Sequence, residues 1–417
     1  MKSNYKRIGD HIKLVDERNK GLRVQKLLGL SISKQFIPSV ANIIGTDMEN
    51  YKIIRKNQFA CSTMQVRRDK KMPVALLKDV DEAIISQAYP IFEVKNEKEL
   101  LPEYLMMWFE RSEFDREACF HAVGGVRGSL EWEDFEDMQL PVPPISKQRE
   151  IVKEYNTIQK RIELNQQMIE KLEETAQAIY KQWFVEFEFP DKNGKPYKNN
   201  DGEMVWNEEL GKEIPKGWEI STLNELVEII DGDRGSNYPS VEEMTDSGYC
   251  LFLNAGNVTK IGFDFSDKKF ISKEKDEALR KGKLKRNDVV LTTRGTVGNV
   301  AFYSDAILIQ HIRINSGMVI MRAKDIPEST VFIYSMLRNS EMKIAIENYL
   351  SGSAQPQLPI KDLIKILVLK PHNEKIVEYS RLVMKIQLHI DNTEIQNQKL
   401  NELKELLLSK MSKESEH

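Results

Sequence analysis

Two kinds of residue pair in this 417-residue sequence could take part in group transfer, and both lack the neighbours that the chemistry requires. The Gly-Lys pairs at 194–195, 211–212 and 282–283 have no glycine five positions before the Gly, as a phosphate-cradling P-loop needs. The Pro143-Pro144 pair follows Val142, whereas an amine methyltransferase places Asn or Asp there and an aromatic residue after the prolines. We therefore expect neither ATP hydrolysis nor methyl transfer by this chain.

Residues that could bind a metal or act as a nucleophile also lack the neighbours that such chemistry requires. The Pro190-Asp191 pair could begin a nuclease metal site, but no Glu-x-Lys or Asp-x-Lys follows between residues 200 and 220. The six histidines show no ligand spacing, there is no Gly-x-Ser-x-Gly elbow, and three scattered cysteines are too few for a zinc site. The sequence predicts a chain without catalytic residues, bound metal or cofactor.

Charge is segregated along the chain although the formal net charge is only −3. Residues 1–80 hold 17 basic and 7 acidic side chains, a balance of +10, whereas residues 81–145 hold 5 and 15, a balance of −10. Residues 258–322 hold 13 and 7, a balance of +6. This segregation predicts local positive faces that attract phosphate, and the alternative is an ordinary solvated surface.

The sequence predicts a protein of the cytoplasm with two or three domains. No apolar run approaches the roughly 20 residues needed to span a bilayer. The first seven residues, Met1 to Arg7, lack the apolar core of a signal peptide.

The sequence repeats itself at an offset of 228 residues. This offset relates Asp134 to Asp362 and Leu140 to Val368. In both copies a strand-like run, a proline and a long helical segment follow one another in the same order. Such self-similarity indicates duplication of one structural unit.

The two long helical segments carry apolar residues at alternating steps of four and three, which is the a/d seam of a coiled coil. The spacing predicts two long helices, beginning after Pro144 and after Pro371, that pair antiparallel within the chain. That pairing would bring Asn165 opposite Asn397, and either asparagine facing water is the alternative. The predicted seam comprises Ile151, Tyr155, Ile158, Ile162, Asn165, Ile169, Leu172 and Ile179, then Val383, Ile386, Ile390, Asn397, Leu400 and Leu407.

A mixed region of helix and strand patterns precedes each long helix, so the predicted fold class is α+β with a pseudo-twofold internal repeat. We expect one globular α/β domain at 1–144, a central spacer helix at 145–188, a second domain at 189–370 and a C-terminal spacer helix at 371–413. Residues 189–217 are expected to form a linker of small hairpins or loops.

This arrangement resembles the specificity subunit of type I DNA restriction-modification enzymes, over essentially the whole chain. The local matches are the junction from Leu140-Pro141-Val142-Pro143 into Gln148-Arg149-Glu150, the helix end Tyr180-Lys181-Gln182-Trp183-Phe184, the entry Ile214-Pro215-Lys216-Gly217-Trp218, the segment Asp288 to Gly298 and the loop Gly352-Ser353-Ala354-Gln355-Pro356. The second junction, Pro371-His372-Asn373-Glu374, departs from the family pattern, and the seam breaks at Lys404.

The resemblance implies that each domain is a target-recognition domain for one half of an interrupted double-stranded DNA sequence, and that the helices form a spacer between them. It also implies a non-catalytic scaffold for two methyltransferase subunits and for restriction subunits. S-adenosylmethionine, ATP and Mg²⁺ would be bound by those partners and not by this chain.

Candidate DNA contacts follow from side-chain chemistry, because Arg forks onto guanine or clamps phosphate and Gln suits adenine. In the first domain a basic run and an Arg within a glycine-rich loop fit that role. In the second domain the candidates are an Arg before a glycine, a glycine-rich loop and two glutamines. Surface ion pairing is the alternative for each one. The candidates are Arg67, Arg68, Lys70, Lys71, Arg127 and Ser129, then Arg234, Asn237, Tyr238, Arg294, Arg313, Gln355 and Gln357.

A different class of protein also fits the pattern. A coiled-coil adaptor that pairs proteins and leaves nucleic acid alone is supported by the acidic half of the first domain. Binding to DNA at low salt distinguishes the two hypotheses.

Overall fold

A computed structural model describes residues 5–39, 46–125, 128–324, 326, 329–352 and 355–412. The chain divides into two compact units, and each of the two long helices contributes to both. Unit 1 comprises Met1–Leu164 with Asn397–His417, and unit 2 comprises Asn165–Gln396. Each unit combines an antiparallel sheet with helices, as the predicted α+β class requires.

Before the first long helix the described residues form ten short strands and five short helices. They are β1 Tyr5–Arg7, α1 Ile8–His11, β2 Ile12–Val15, β3 Leu28–Leu30, β4 Phe36–Pro38, β5 Lys52–Arg55, β6 Gln58–Cys61, α2 Val66–Asp69, β7 Val74–Leu76, β8 Glu82–Ile85, β9 Ile91–Val94, α3 Pro102–Glu110, α4 Ser112–His121, α5 Trp132–Asp137 and β10 Gln139–Pro141.

The long helix α6, Ile145–Phe184, then leads into the second set of elements, which ends in the other long helix. These are β11 Met204–Asn207, β12 Lys212–Pro215, β13 Glu219–Thr222, α7 Leu223–Leu226, β14 Val227–Asp231, β15 Cys250–Leu253, β16 Val258–Thr259, β17 Gly262–Phe263, β18 Phe270–Ile271, α8 Lys273–Ala278, β19 Val289–Thr292, β20 Val300–Phe302, β21 Ile312–Ile314, β22 Met318–Ala323, α9 Thr330–Arg338, α10 Ser340–Asn348, α11 Ile360–Leu363, β23 Leu367–Lys370 and α12 Asn373–Lys410.

The two units repeat the same sheet. Unit 1 orders its main sheet β2-β9-β6-β7 and unit 2 orders its own β14-β22-β19-β20, with every neighbouring pair antiparallel. In each unit a one-turn helix precedes the first strand of the main sheet. A separate two-stranded sheet, β1–β10 or β13–β23, leads into a long helix. The sequence repeat is therefore a repeat of topology.

Aromatic and aliphatic side chains from the sheet and helices form a separate core in each unit. In unit 1 the Phe59 and Phe92 rings stack at 4.9 Å between centroids, against Phe109. In unit 2 the Phe184 ring meets Phe332 and Tyr379 edge-on, at 4.9 and 5.0 Å. Both long helices thus contribute to the core of the unit in which that part of the helix lies.

Within each unit the two long helices lie antiparallel. In unit 1, Lys404 Nζ lies 3.4 Å from Gln159 Oε1 and 5.9 Å from the centre of the Tyr155 ring. The seam break at Lys404 is therefore filled by a lysine whose ammonium group lies over an aromatic ring. In unit 2 the Tyr379 hydroxyl donates to the Ala176 carbonyl at 3.4 Å.

Every predicted seam residue is buried or half-buried. Asn165 is buried and Asn397 half-buried, and they belong to different units, so their direct pairing stays a prediction.

A carboxyl-rich section of the helix pair in unit 2 links stability to pH. Burial raises the pKa of Glu394 to about 7, and the neighbouring carboxylates of Asp391 and Glu173 add to the shift. The folded protein then holds a proton that the unfolded chain releases at lower pH. Its unfolding free energy is therefore expected to fall as the pH rises from the ordinary glutamate value through about 7.

Replacing this side chain by a neutral one tests that dependence. The Glu394→Gln variant is expected to gain on the order of 1–3 kcal/mol over the wild type at pH 8 and little at pH 5. Urea unfolding at both pH values measures the difference, with the exposed Glu174→Gln variant as the control. Equal stability of Glu394→Gln and wild type at pH 8 would contradict the assignment.

Candidate nucleic-acid interface

Loops at one end of the main sheet of unit 2 come together in a surface that we call the unit 2 loop cluster, defined as 231–236, 280–282, 293–299, 315–317 and 351–358 without residues 353 and 354. The Thr293 and Arg294 amides both donate to the Gly317 carbonyl, at 2.8 and 3.0 Å. Arg234 Nη2 lies 3.3 Å from the Ser316 carbonyl oxygen. Backbone contacts therefore fix these loops to one another.

Two glycines allow the close approach. A Cβ atom on Gly232 would lie 2.1 Å from the Asn315 carbonyl oxygen, and one on Gly282 would lie 3.2 Å from the Gly232 Cα. Gly282 also has a φ of +84°, which disfavours other residues. Only glycine at these positions lets the 231–236, 280–282 and 315–317 loops pack together.

Two carboxylates hold the two arginines of this surface, because Asp231 pairs with Arg234 at 3.2 Å and the buried Asp233 contacts Arg280. Asp233 accepts hydrogen bonds from the backbone amides of Gly235 and Arg280, at 2.7 and 2.8 Å, and these bonds hold the pKa of Asp233 far below its usual value. The Arg280 side chain is 74% exposed, although its guanidinium lies 3.4 Å from Asp233. Asp233 therefore sets the turn while the neighbouring guanidinium groups of Arg234 and Arg280 reach solvent.

The exposed side chains of the unit 2 loop cluster suit an anionic partner with polar edges. Arg234, Arg280, Lys281 and Arg294 supply positive charge, and Gln355 is exposed beside them. Gln357 is half-buried, and its backbone pairs with Arg294 and Ser351. The cations of such a surface can bind phosphates, and its Arg and Gln side chains can form hydrogen bonds to base edges.

Three predicted contacts of the second domain have partners within the protein. Asn237 Nδ2 donates to the Ala278 carbonyl at 3.0 Å, and the Tyr238 ring packs edge-on against Phe252 at 5.5 Å. Arg313 is 5% exposed, and its guanidinium donates to the Asp276 carboxylate and to the Lys281 carbonyl. Its predicted place on the DNA-binding surface is therefore corrected, because it supports the turn carrying Arg280 and Lys281 from inside.

Apart from Arg127, the predicted residues of the first domain lie in a second surface, the unit 1 loop cluster, defined as 62–71 and 120–130 without residues 126 and 127. Arg67 donates through Nη1 to the Gly124 carbonyl at 3.0 Å and through Nη2 to the Ala122 carbonyl, so it fastens the glycine-rich loop. Arg68 pairs with Asp69 at 2.6 Å, while Lys70 and Lys71 are exposed. Arg127 lies outside the described residues.

The two loop clusters are repeat equivalents. The Leu130 amide donates to the Thr63 carbonyl at 2.9 Å in unit 1, and the Leu358 amide donates to the Thr293 carbonyl at 2.9 Å in unit 2. Ser129 pairs with Val123 as Gln357 pairs with Ser351. Each unit therefore presents the same loop framework with different side chains.

Sequence reasoning missed Asp233 and Arg280 as parts of the surface. The 228-residue offset, which carries Arg127 to Gln355 and Ser129 to Gln357, relates only candidates that were already predicted. Contact of any of these residues with DNA stays a prediction.

In the described ranges, no group of three or more His, Cys, Asp or Glu side chains could hold a metal ion. Cys61 and Cys250 are buried, which raises the pKa of both thiols, that of Cys250 to about 12. Among the helices described, none combines the length and apolar character needed to cross a membrane.

Comparison with known proteins supplies the family. The model of the type I restriction modification DNA specificity domain matches residues 40–174 and 215–405. The specificity subunit of the MjaIX type I restriction enzyme of Methanocaldococcus jannaschii is 24% identical over 321 residues, which cover 75% of this chain and 68% of that protein. The HindI specificity subunit of Haemophilus influenzae is 21% identical, with 89% of each chain covered.

A solved structure supports the same fold. The S subunit of a type I restriction-modification system from M. genitalium superposes with a TM-score of 0.52 over 98% of this chain and 95% of that one, at 14% sequence identity. The family match takes in two separate stretches, as expected for a repeated unit, and it confirms the resemblance seen in the sequence. This chain therefore belongs to the family of type I restriction-modification DNA specificity proteins.

Proposed function

We propose that this chain reads the DNA target of a type I restriction-modification complex, with each unit reading one half of an interrupted sequence. The observation that carries this proposal is the presence of two equivalent loop clusters on one repeated framework. A duplicated reader with different side chains in each copy suits a target made of two different halves. The two long helices set the spacing between the halves.

Duplex DNA is the ligand that best fits the chemistry of these surfaces. Lysine and arginine neutralise phosphates, and this contact is independent of sequence and sensitive to salt. Arginine and glutamine then discriminate bases by forking onto guanine or adenine in the major groove. The unit 2 loop cluster combines both, with Arg234, Arg280 and Lys281 near Arg294 and Gln355. The rival hypothesis of a protein adaptor gives no role to this combination.

The repeat also suits two copies of one partner. A groove along α6 is lined in part by Arg149, Val152 and Lys153, and a groove along α12 is lined in part by Val377 and Arg381. The 228-residue offset relates Arg149 to Val377 and Lys153 to Arg381. Two equivalent helix faces would bind two methyltransferase subunits in the same way, and restriction subunits would join the resulting complex.

This chain and its partners have different roles in the proposed complex. It contributes binding and positioning in the cytoplasm, and its partners contribute catalysis with S-adenosylmethionine, ATP and Mg²⁺. Methylation or ATP hydrolysis by the purified chain alone would contradict this assignment.

Selection of bound duplexes from a random pool tests the proposed function. The full chain is expected to enrich an interrupted motif of two half-sites, with affinity that falls steeply as salt rises. Arg294→Ala is expected to relax one half-site only and to weaken binding to the selected duplex about 10-fold to 100-fold. The exposed Lys365→Ala variant is the control. No retention of any duplex at low salt would overturn the proposal in favour of the adaptor.

A further inference from the structure

The unit 1 loop cluster exposes apolar side chains at the positions from which a reading loop would contact its target. Phe120, in the last turn of α4, is 82% exposed, Val123 is 53% exposed and Met64 is 49% exposed. Met64 follows Thr63, whose carbonyl accepts the Leu130 amide, and Val123 pairs with Ser129. Met64 and Val123 therefore belong to the framework that the two units share, and Phe120 lies just before it at the end of α4.

The equivalent positions in unit 2 are polar. Thr63 and Thr293 make the same backbone contact in the two units, so the residues that follow them, Met64 and Arg294, are equivalent. Val123 and Ser351 are equivalent because each makes the corresponding backbone pairing. Helices α4 and α10 begin at Ser112 and Ser340, so Phe120 corresponds to Asn348. The neighbouring apolar side chains of unit 2, Tyr349 and Leu350, are only 37% and 36% exposed. The two loop clusters therefore differ in the chemistry that they present.

The apolar residues stand on a fixed support and beside positive charge. Arg67 ties the carbonyls of Ala122 and Gly124, and Cys119 Sγ lies 3.4 Å from the Val66 carbonyl oxygen. Lys70 and Lys71 are exposed on the adjoining segment. An apolar tip held by these contacts, with exposed cations on the adjoining segment, complements a groove with anionic edges and an apolar group on its floor.

The thymine methyl is the apolar group that base pairs present in the major groove. We infer that unit 1 recognises thymine methyl groups in its half-site through Phe120, Val123 and Met64, whereas unit 2 reads its half-site by hydrogen bonding. This inference rests on the proposed function and specifies its substrate further. It requires at least one thymine contacted by unit 1.

Replacing thymine by uracil, which lacks the methyl group, isolates this contact. The duplex is the motif selected by the full chain, and binding is measured by fluorescence anisotropy with uracil in one half-site at a time. In the half-site assigned to unit 1, we expect about fourfold weaker binding for each contacted methyl. The half-site whose recognition relaxes in Arg294→Ala belongs to unit 2, and uracil there is expected to leave affinity unchanged.

Variants then connect the methyl group to the side chain. Phe120→Ala is expected to weaken binding to the thymine duplex and to lose most of the response to uracil. Leu14→Ala, an exposed apolar position on the edge strand β2, is the matched control and should keep the full response. Circular dichroism checks that both variants fold like the wild type.

The other outcomes are distinct. Unchanged affinity of the wild type for uracil in the unit 1 half-site, or a full uracil response in Phe120→Ala, would overturn the inference while sequence-selective DNA binding stood. The same loss by Phe120→Ala on unrelated duplexes would overturn it in favour of a contact that ignores sequence. If the wild type bound no duplex at all, the proposed function itself would be refuted.

Discussion

Replacing Asp276 by alanine is expected to lower the unfolding free energy by ~3–5 kcal/mol, because it leaves the buried guanidinium of Arg313 without its carboxylate partner in the interior of unit 2. Asp276 is fully buried and pairs with both Arg313 and Lys283. Burial opposes ionisation of the Asp276 carboxyl, but the hydrogen bonds from Lys283 and Arg313 outweigh it and lower the pKa. Solvent reaches Lys283, whose side chain is 42% exposed, but it cannot compensate Arg313, whose side chain is only 6% exposed.

Urea unfolding of the full chain measures the loss. Asp305→Ala is the matched control, since the Asp305 side chain is 83% exposed and pairs with Arg286 only at 3.9 Å. The control is expected to stay within about 0.5 kcal/mol of the wild type. Equal stability of Asp276→Ala and the wild type would contradict the structural role of this buried ion pair.

The case of Arg313 shows why some site residues could not be identified from the sequence. Arg313 stands between Ile312 and Ile314, and alternation in a strand predicts that it points to solvent when its neighbours point inward. All three are buried, because the turn at 279–281 and the carboxylate of Asp276 cover the side of β21 that carries the arginine. That cover comes from more than 30 residues away in the chain and leaves no local signal.

Glycine-rich loops are similarly ambiguous. The sequence placed Arg234, Asn237 and Tyr238 in one such loop, but only Arg234 belongs to the unit 2 loop cluster. Tyr238 packs on Phe252 and Asn237 donates to the Ala278 carbonyl, because a rigid loop needs its own small core and its own hydrogen bonds. Composition indicates the loop, and tertiary contacts decide which of its side chains remain available.

The long helices and the repeat were more predictable because their signals are distributed over many residues. The seam pattern spans several heptads, so the substitution at Lys404 does not obscure it. The repeat offset of 228 relates the first residues of α4 and α10, but the opening elements α1 and α7 are related by 215. Additional residues between β14 and β19 account for the change, and a single fixed offset could not reveal them.

Adding one heptad to both long helices is expected to produce the largest change in function. Both helices run from one unit into the other, across Leu164–Asn165 in α6 and Gln396–Asn397 in α12. Seven helical residues add ~10.5 Å to each connection. They also preserve the helix face to within ~20°, so the seam stays in register.

The insert in α6 would duplicate residues 158–164 and the insert in α12 would duplicate residues 390–396, which carry seam residues of their own. The gap between half-sites is then expected to lengthen by about two to four base pairs, given the ~3.4 Å rise of DNA. Affinity for the original target should fall at least 100-fold, because only one half-site can be engaged at a time. A heptad added to α6 alone makes the two helices unequal in length between the units, so it is expected to destabilise the chain.

Selection from random duplexes with the doubly extended chain, beside the wild type, tests the central claim most directly. Two independent readers on a helical spacer require that both half-site sequences persist while the gap between them grows. An unchanged gap, or new half-site sequences, would contradict the claim that each unit reads its own half of the target at a distance set by the helices.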